Sequence, residues 1–424
     1  MDEPSVAIVG GGLAGLTAAV ELAERGHAVT VYEAAPQVGG QVRSVHHNGF
    51  TLDRGFQVLF AAYPTVGQVL DLSALRLRRF RPGAVLARAG MRSVLADPFR
   101  DPRAALASLS CPEVTLGDKL RTLLLRRRLR RRPFETIFGG TDRSIAAELR
   151  RLGFSDGYIE HFARPFFGAI TQDPQLGSSK QLFEYIFKAL TMGPIAVPSA
   201  GMGAISEQVA GRARTAGATI HTDRRVRELV PGGDHAVLMT DAEQQRVDAA
   251  IVATDPATTA SLLPSTPLPT ATRSTITQHY ALPADGLPAT ARRIILDVTG
   301  ADPAVVVPMS AIAPSYAPAD AELLVASFID TPLETPTETL ARATRDSLGR
   351  WYPERSFTDL QVLATDRIAD AQPVQPPGFT AKRPAVTAPP PPVVLAGAVT
   401  TWGSIEGAIA SGINAATAVR DAHR

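Results

Sequence analysis

Val6-Ala7-Ile8-Val9-Gly10-Gly11-Gly12-Leu13-Ala14-Gly15 opens the chain's first readable unit. Residues 6–9 form a short apolar run that reads as a buried strand, and three glycines come directly after it. Residues 16–25 are rich in Ala and Leu and read as a helix, with Gly26 where a helix stop belongs. Ala28–Tyr32 is a second β-rich run, closed by Glu33. Together these make one βαβ unit of about the usual 30 residues. In that context Gly10-x-Gly12-x-x-Gly15 reads as a dinucleotide fingerprint. Gly10 allows the tight turn, Gly12 lets the backbone approach a pyrophosphate, and Gly15 lets helix and strand pack closely. Leu13 and Ala14, between the second and third of these glycines, are candidate cofactor contacts, and Glu33 and Ala34 come after the second strand. Glu33 would accept hydrogen bonds from an adenosine ribose. The plainer alternative is a glycine-rich turn with a surface glutamate. The complete order of elements speaks against it.

The chain has 424 residues, enough for two domains. Hydrophobic residues make up 45% and charged residues 20%, which excludes a disordered chain. A formal net charge of +2 excludes a polyanion binder as a whole, and no nucleic-acid partner is expected. Arginine outnumbers lysine heavily (only Lys119, Lys180, Lys188 and Lys382), which we read as genome composition, not function. The single cysteine, Cys111, excludes a disulfide framework and cysteine-based metal sites, and no metal is expected. Asp2 and Glu3 precede the first strand where a signal peptide would be basic, and no run reaches the ~18 apolar residues of a membrane span. The expectation is a cytoplasmic protein, soluble or lying on a membrane surface.

Further along, residues 76–200 are rich in Arg and Leu and read as mainly helical, as at 145–152 and 181–192. A helix is predicted at 205–216, then strands at 219–221, 224–230 and 247–253. Residues 260–385 mix strands (293–298, 323–329) with a helix at 338–352. Four prolines, 389–392, read as an extended connector into a strand at 393–396, and the last helix covers about 406–422.

The segment after Glu33 separates NAD from FAD. Gly39-Gly40-Gln41-Val42-Arg43-Ser44 places a second glycine pair beyond the second strand, and Asp53-Arg54-Gly55-Phe56-Gln57-Val58 comes next. These segments resemble the flavin amine oxidase superfamily, which includes phytoene desaturases and protoporphyrinogen oxidases. The C-terminal run Ala396-Gly397-Ala398-Val399-Thr400-Thr401-Trp402-Gly403-Ser404-Ile405-Glu406-Gly407-Ala408 resembles its closing motif. Arg164-Pro165-Phe166-Phe167-Gly168, Pro198-x-x-Gly201-Met202-Gly203 and Val226 also fit the family. The resemblance implies noncovalent FAD. Its implied contacts include Gly39, Gly40, Gln41, Gly55, Phe56, Gln57, Val58, Val226 and Thr254. They also include Arg43 as the cation facing pyrophosphate or flavin, and Gly397, Ala398, Ser404, Ile405 and Ala408 at the closing helix. That helix would aim its N-terminal N–H groups at the N1–C2 edge of the flavin. Many members carry Asp after Ala-Gly, bonding the cofactor's polar chain; here Ala398 stands there, and backbone N–H groups or Thr400 would substitute.

No second fingerprint comes after a strand, so electrons should leave to oxygen, a quinone or another acceptor. Cys111 is far from every flavin motif, and His46 and His47 are read as surface residues and not as flavin tethers. Amine oxidases of the superfamily often hold a water near flavin N5 with a lysine beneath an aromatic cage. Here only Lys382 precedes the closing motif. Gln57, Phe166 and Trp402 are the pocket candidates, and Trp402 reads equally as a cage wall or a core aromatic. Catalytic side chains are unassigned, because the flavin carries the chemistry. The run from Leu120 to Arg132 puts Leu116, Leu120, Leu123 and Leu124 on one helical stripe with arginines around the rest. We favour a solvated helix with one buried face; the alternative is a peripheral membrane contact that feeds an apolar substrate to the cavity.

The resulting expectation is an α/β protein with a Rossmann-like FAD-binding domain (1–75, 200–260, 385–424) and an interleaved α+β substrate domain (76–199, 261–384). The implied activity is dehydrogenation of an apolar or polycyclic small molecule, isoprenoid- or porphyrinogen-like, by hydride transfer to flavin N5. The alternatives are a flavin amine oxidase and, from another class, a non-catalytic flavoprotein-like binding or assembly protein.

Overall fold

Val6, Ala7, Ile8 and Val9 are all buried, because the strand Ser5–Val9 lies inside a parallel sheet covered on both faces. The computed structural model describes residues 4–284, 287 and 292–422, so Asp2 and Glu3 lie outside the described residues. The parallel sheet has five strands in the order Thr219–His221, Ala28–Tyr32, Ser5–Val9, Ala249–Val252, Val393–Leu395. Its strands come from both ends and the middle of the chain. The helix Leu13–Ala23 covers one face and packs against the C-terminal helix Ile405–Ala422. Leu16 and Leu22 of that first helix are fully buried, each contributing about 1.5–3 kcal/mol.

The first helix begins at Leu13, three residues earlier than expected from composition. Gly12 is extended and acts as its N-cap, and the Leu16 N–H donates to the Gly12 carbonyl at 2.9 Å. Gly15 therefore lies inside the first turn. A Cβ there would collide with the Gly10 carbonyl oxygen.

A second sheet has seven strands in the order Gln361–Pro373, Thr272–Pro283, Ala321–Ile329, Val305–Pro308, Ile294–Asp297, Ala84–Arg88, Met91–Leu95. It is antiparallel except where Ile294–Asp297 runs parallel to Ala84–Arg88. Its two longest members, Thr272–Pro283 and Gln361–Pro373, were not anticipated from sequence. A small sheet joins Leu59–Phe60 and Arg78–Arg79 through Ile195–Val197.

The arginine-rich helix runs Leu116–Arg131 and corrects the expectation of an inward leucine stripe. Its buried residues are Asp118, Leu125 and Leu129, whereas Leu116, Leu120, Leu123 and Leu124 are exposed. Asp118 sets this rotation. Its carboxylate closes a capping box with Thr115 and also accepts from the Ser155 N–H and hydroxyl, at 2.8 and 2.6 Å.

Candidate active site

The carboxyl ends of the parallel strands meet at one cavity of about 670 Å³. Ligands of open α/β sheets bind at that edge. Val9, Tyr32 and Ala253 bring three strand ends to it, each succeeded by a lining residue: Gly10, Glu33 and Thr254.

Gly10 takes a positive φ of 107°, and its N–H donates to the Tyr32 carbonyl at 2.9 Å, which fixes the turn. Gly12, Leu13 and Ala14 line the cavity. The first N–H groups of a helix have no intrahelical acceptor, so an anion is favoured there. A Cβ built on Gly12 meets no atom within 4 Å, so the space a pyrophosphate needs is present. The second glycine pair lies across the first: the Gly39 N–H donates to the Gly11 carbonyl at 2.8 Å. Glu33 spans the same turn, its Oε2 accepting from the Gly11 N–H at 2.7 Å and its Oε1 from the Ala35 N–H at 2.8 Å. Each carboxylate oxygen keeps a second lone pair for a ribose hydroxyl.

Of the residues named from sequence, Ala34, Gly39, Gly40, Gln41, Gly55, Phe56, Gln57, Val58, Phe166 and Val226 line the cavity. So do Ala398, Ser404, Ile405 and Ala408. Four named residues do not. Gly15 is at the helix–strand contact, and Gly397 donates its N–H to Ser411 Oγ at 2.9 Å. Trp402 packs on Phe138 and Tyr185, with ring centroids 4.7 and 5.1 Å away, and is not a cavity wall. Arg43 also stays out, and Arg54 lines the cavity in its place. The two arginines are neighbours, the Arg54 N–H donating to the Arg43 carbonyl. Burial pulls the Arg54 guanidinium below its ordinary pKa, Arg43 adds to this, and Asp366 opposes it. Arg224, Arg225, Asp370 and Gln372 also line the cavity and carried no recognisable signal in the sequence. Arg224 comes after the edge strand Thr219–His221, and its N–H donates to the Glu33 carbonyl.

Gln57 is held by its own amide, which donates to the Gln41 and Arg54 carbonyls at 2.6 and 2.9 Å. The loop bearing it is anchored by buried Asp53. That carboxylate accepts from Ser44 Oγ (2.6 Å), the Met202 N–H (2.8 Å) and the Tyr316 hydroxyl (3.0 Å). Burial pushes Asp53 up to about 6, against the pull of these donors.

The closing helix starts at Ile405, and Ser404 Oγ accepts from the Gly407 N–H at 2.8 Å. Glu406 turns away from the cavity. Its carboxylate receives the Thr65 N–H and hydroxyl and the Tyr185 hydroxyl. The Thr400 hydroxyl donates to the Gly397 carbonyl at 3.0 Å and does not line the cavity. Cys111 is buried elsewhere, its thiol pushed up to about 12 by burial and by its hydrogen bond to Glu113. Among the described residues no group of three or more His, Cys, Asp or Glu is arranged for a metal ion, and no helix is long and apolar enough to cross a membrane.

Residues 13–420 match the model of the flavin containing amine oxidoreductases. The chain belongs to that family. Membership carries the cofactor, FAD, and the glycine cradle, Glu33 and the closing-helix N-terminus fit it. Protoporphyrinogen oxidase 2 of Arabidopsis thaliana is 29% identical over 205 residues, 47% of this chain and 40% of that protein. Phytoene dehydrogenase of Streptomyces griseus is 30% identical over 288 residues, 62% of this chain and 56% of that one. The chain thus matches about half the length of these curated relatives. Cyclohexylamine oxidase from Brevibacterium oxydans IH-35A shares the fold over 100% of both chains, with a TM-score of 0.71 at 16% identity.

Proposed function

We propose that this flavoprotein is an oxidoreductase that dehydrogenates an apolar or polycyclic small molecule, isoprenoid- or porphyrinogen-like. The observation that carries the reading is the apolar share of the cavity lining. Phe60 and Ile195 come from the small sheet, Phe80 directly follows its strand Arg78–Arg79, Phe166 and Ile186 come from helices, and Leu296 from the seven-stranded sheet. None is charged, and among the described residues no lysine lines the cavity. Lys188 is engaged by three backbone carbonyls, those of Leu129, Arg130 and Arg132. That favours an apolar substrate over an amine.

When bound, FAD supplies the hydride acceptor, N5 of its ring. The chain's residues do the rest by positioning. The apolar walls exclude water and align the substrate, while Gln57, fixed by two carbonyls, keeps the adjoining loop in place. The electron acceptor for the bound cofactor would be oxygen, a quinone or another molecule. The FAD-binding part is assigned to 1–75, 200–260 and 385–424 and the substrate part to 76–199 and 261–384. In support, all five parallel strands fall in the first set and all seven strands of the larger sheet in the second.

Mass spectrometry of small molecules that copurify with the folded protein tests the substrate class. An isoprenoid or tetrapyrrole is expected; a stoichiometric amine contradicts the reading.

A further inference from the structure

The helix Leu116–Arg131 has two opposed faces. Asp118, Leu125 and Leu129 point into the protein. Leu116, Leu120, Leu123, Leu124, Arg127 and Arg131 recur at the spacing of a single helix face on the other side. Leu116 is 69% exposed, and Leu120 and Leu124 are 58% exposed each. Single exposed leucines are ordinary, but a contiguous set is not.

Two neighbouring segments widen the patch. Lys119 Nζ donates to the Leu109 carbonyl at 2.9 Å, which holds the short helix Ala105–Leu109 against the first turn. That helix exposes Leu106 and Leu109. The Arg126 guanidinium lies 4.8 Å over the ring of Phe99, which is also exposed.

Charge then selects the occupant. Residues 97–132 contain ten basic and four acidic side chains. All four acids are engaged: Asp97 with Arg126, Asp101 with Arg293, Glu113 with Arg88, and Asp118 with Thr115 and Ser155. Flanking Arg128 and Arg132 pair with Glu184. Arg127 and Arg131 are exposed, and their side chains make no ion pair or hydrogen bond among the described residues. A second copy of the chain fits poorly, because a two-fold contact brings these like charges together. A bilayer of anionic lipid fits both features: leucines enter the acyl boundary and guanidiniums reach the phosphates.

We propose that this face, with Phe99, Leu106, Leu109, Leu116, Leu120 and Leu124 at its apolar centre and Arg127 and Arg131 beside them, docks the protein on an anionic membrane surface. The helix beneath it, Lys180–Met192, is tied to it through Lys188 and contributes Ile186 to the cavity lining. The docking proposal does not depend on the substrate class.

The test is cosedimentation of the full-length FAD-loaded protein with vesicles of phosphatidylcholine alone or of phosphatidylcholine with phosphatidylserine. We expect binding only to the anionic vesicles, weakened by salt. Leu120→Gln/Leu124→Gln and Arg127→Glu/Arg131→Glu should each weaken it by about tenfold or more, with flavin content unchanged. Absence of binding to anionic vesicles overturns the proposal, as does binding that neither double variant alters. So does a wild-type dimer that the leucine variant splits while vesicles bind neither form.

Discussion

Glu33 Oε2 accepts the Gly11 N–H at 2.7 Å, so the end of the second strand clamps the glycine turn at the end of the first. Because the other oxygen takes the Ala35 N–H, the carboxylate shapes the site before any ribose reaches it. Glu33→Gln presents an amide N–H₂ to one of these backbone donors. A charge-assisted hydrogen bond contributes about 1.5–3 kcal/mol, so FAD binding should weaken by roughly tenfold to a hundredfold. Titration of the apoprotein with FAD checks this; unchanged affinity would remove Glu33 from the site.

Gly12 and Gly15 should fail in different ways. A side chain at Gly12 meets only the space of the pyrophosphate, so Gly12→Val should fold normally and bind no FAD. A side chain at Gly15 strikes the Gly10 carbonyl, so Gly15→Ala should lower the melting temperature of the apoprotein itself. Melting curves and flavin absorbance of both variants separate the two effects. FAD at wild-type stoichiometry in Gly12→Val would place the pyrophosphate elsewhere.

Asp53 gives a pH dependence. Burial raises its pKa to about 6 in the folded state, from an unfolded value of 3.8. The folded protein therefore holds a proton that the unfolded chain has released. Asp53's contribution is fully present below about pH 4 and is lost as pH rises through about 6. Measured against Asp53→Asn, wild-type stability should fall by an amount on the order of 3 kcal/mol across that window. Urea unfolding of both proteins from pH 4 to 7 reads it out (urea does not alter the charges). A flat difference would mean that Asp53 is not the buried acid described here.

Ala398 lines the cavity at the position where the resemblance of the closing motif implies Asp, and Thr400 is committed to the Gly397 carbonyl. No side-chain acceptor replaces the missing carboxylate from this turn. Ala398→Asp should tighten FAD by roughly one to two orders of magnitude, the worth of one charge-assisted hydrogen bond. Weaker binding would mean that the turn has been rebuilt around alanine.

The nucleotide half of the fold was legible because its signals are local: a strand, glycines at fixed spacing and a closing acid. The seven-stranded sheet was not. Thr272–Pro283 buries Thr275, Thr277, Gln278 and His279, so its inward residues do not read as an apolar run. Gln361–Pro373 carries Asp370 and Gln372 into the cavity, and polar strands of this kind look like loop. The family resemblance implied Arg43 at the site, yet it cannot say which of two arginines from neighbouring segments lines the cavity; Arg54 does. The leucine stripe was visible, but its direction depended on Asp118 pairing with Ser155, a contact between residues 37 apart in sequence.

The central claim is that the flavin in this cavity oxidises an apolar molecule. Anaerobic titration of the purified yellow protein tests it most directly, with the flavin absorbance tracked on adding a carotenoid precursor, a porphyrinogen or a primary amine in turn. We predict bleaching by the carotenoid precursor or the porphyrinogen and none by the amine. Bleaching by the amine alone would contradict the account, and so would a colourless protein that FAD cannot reconstitute.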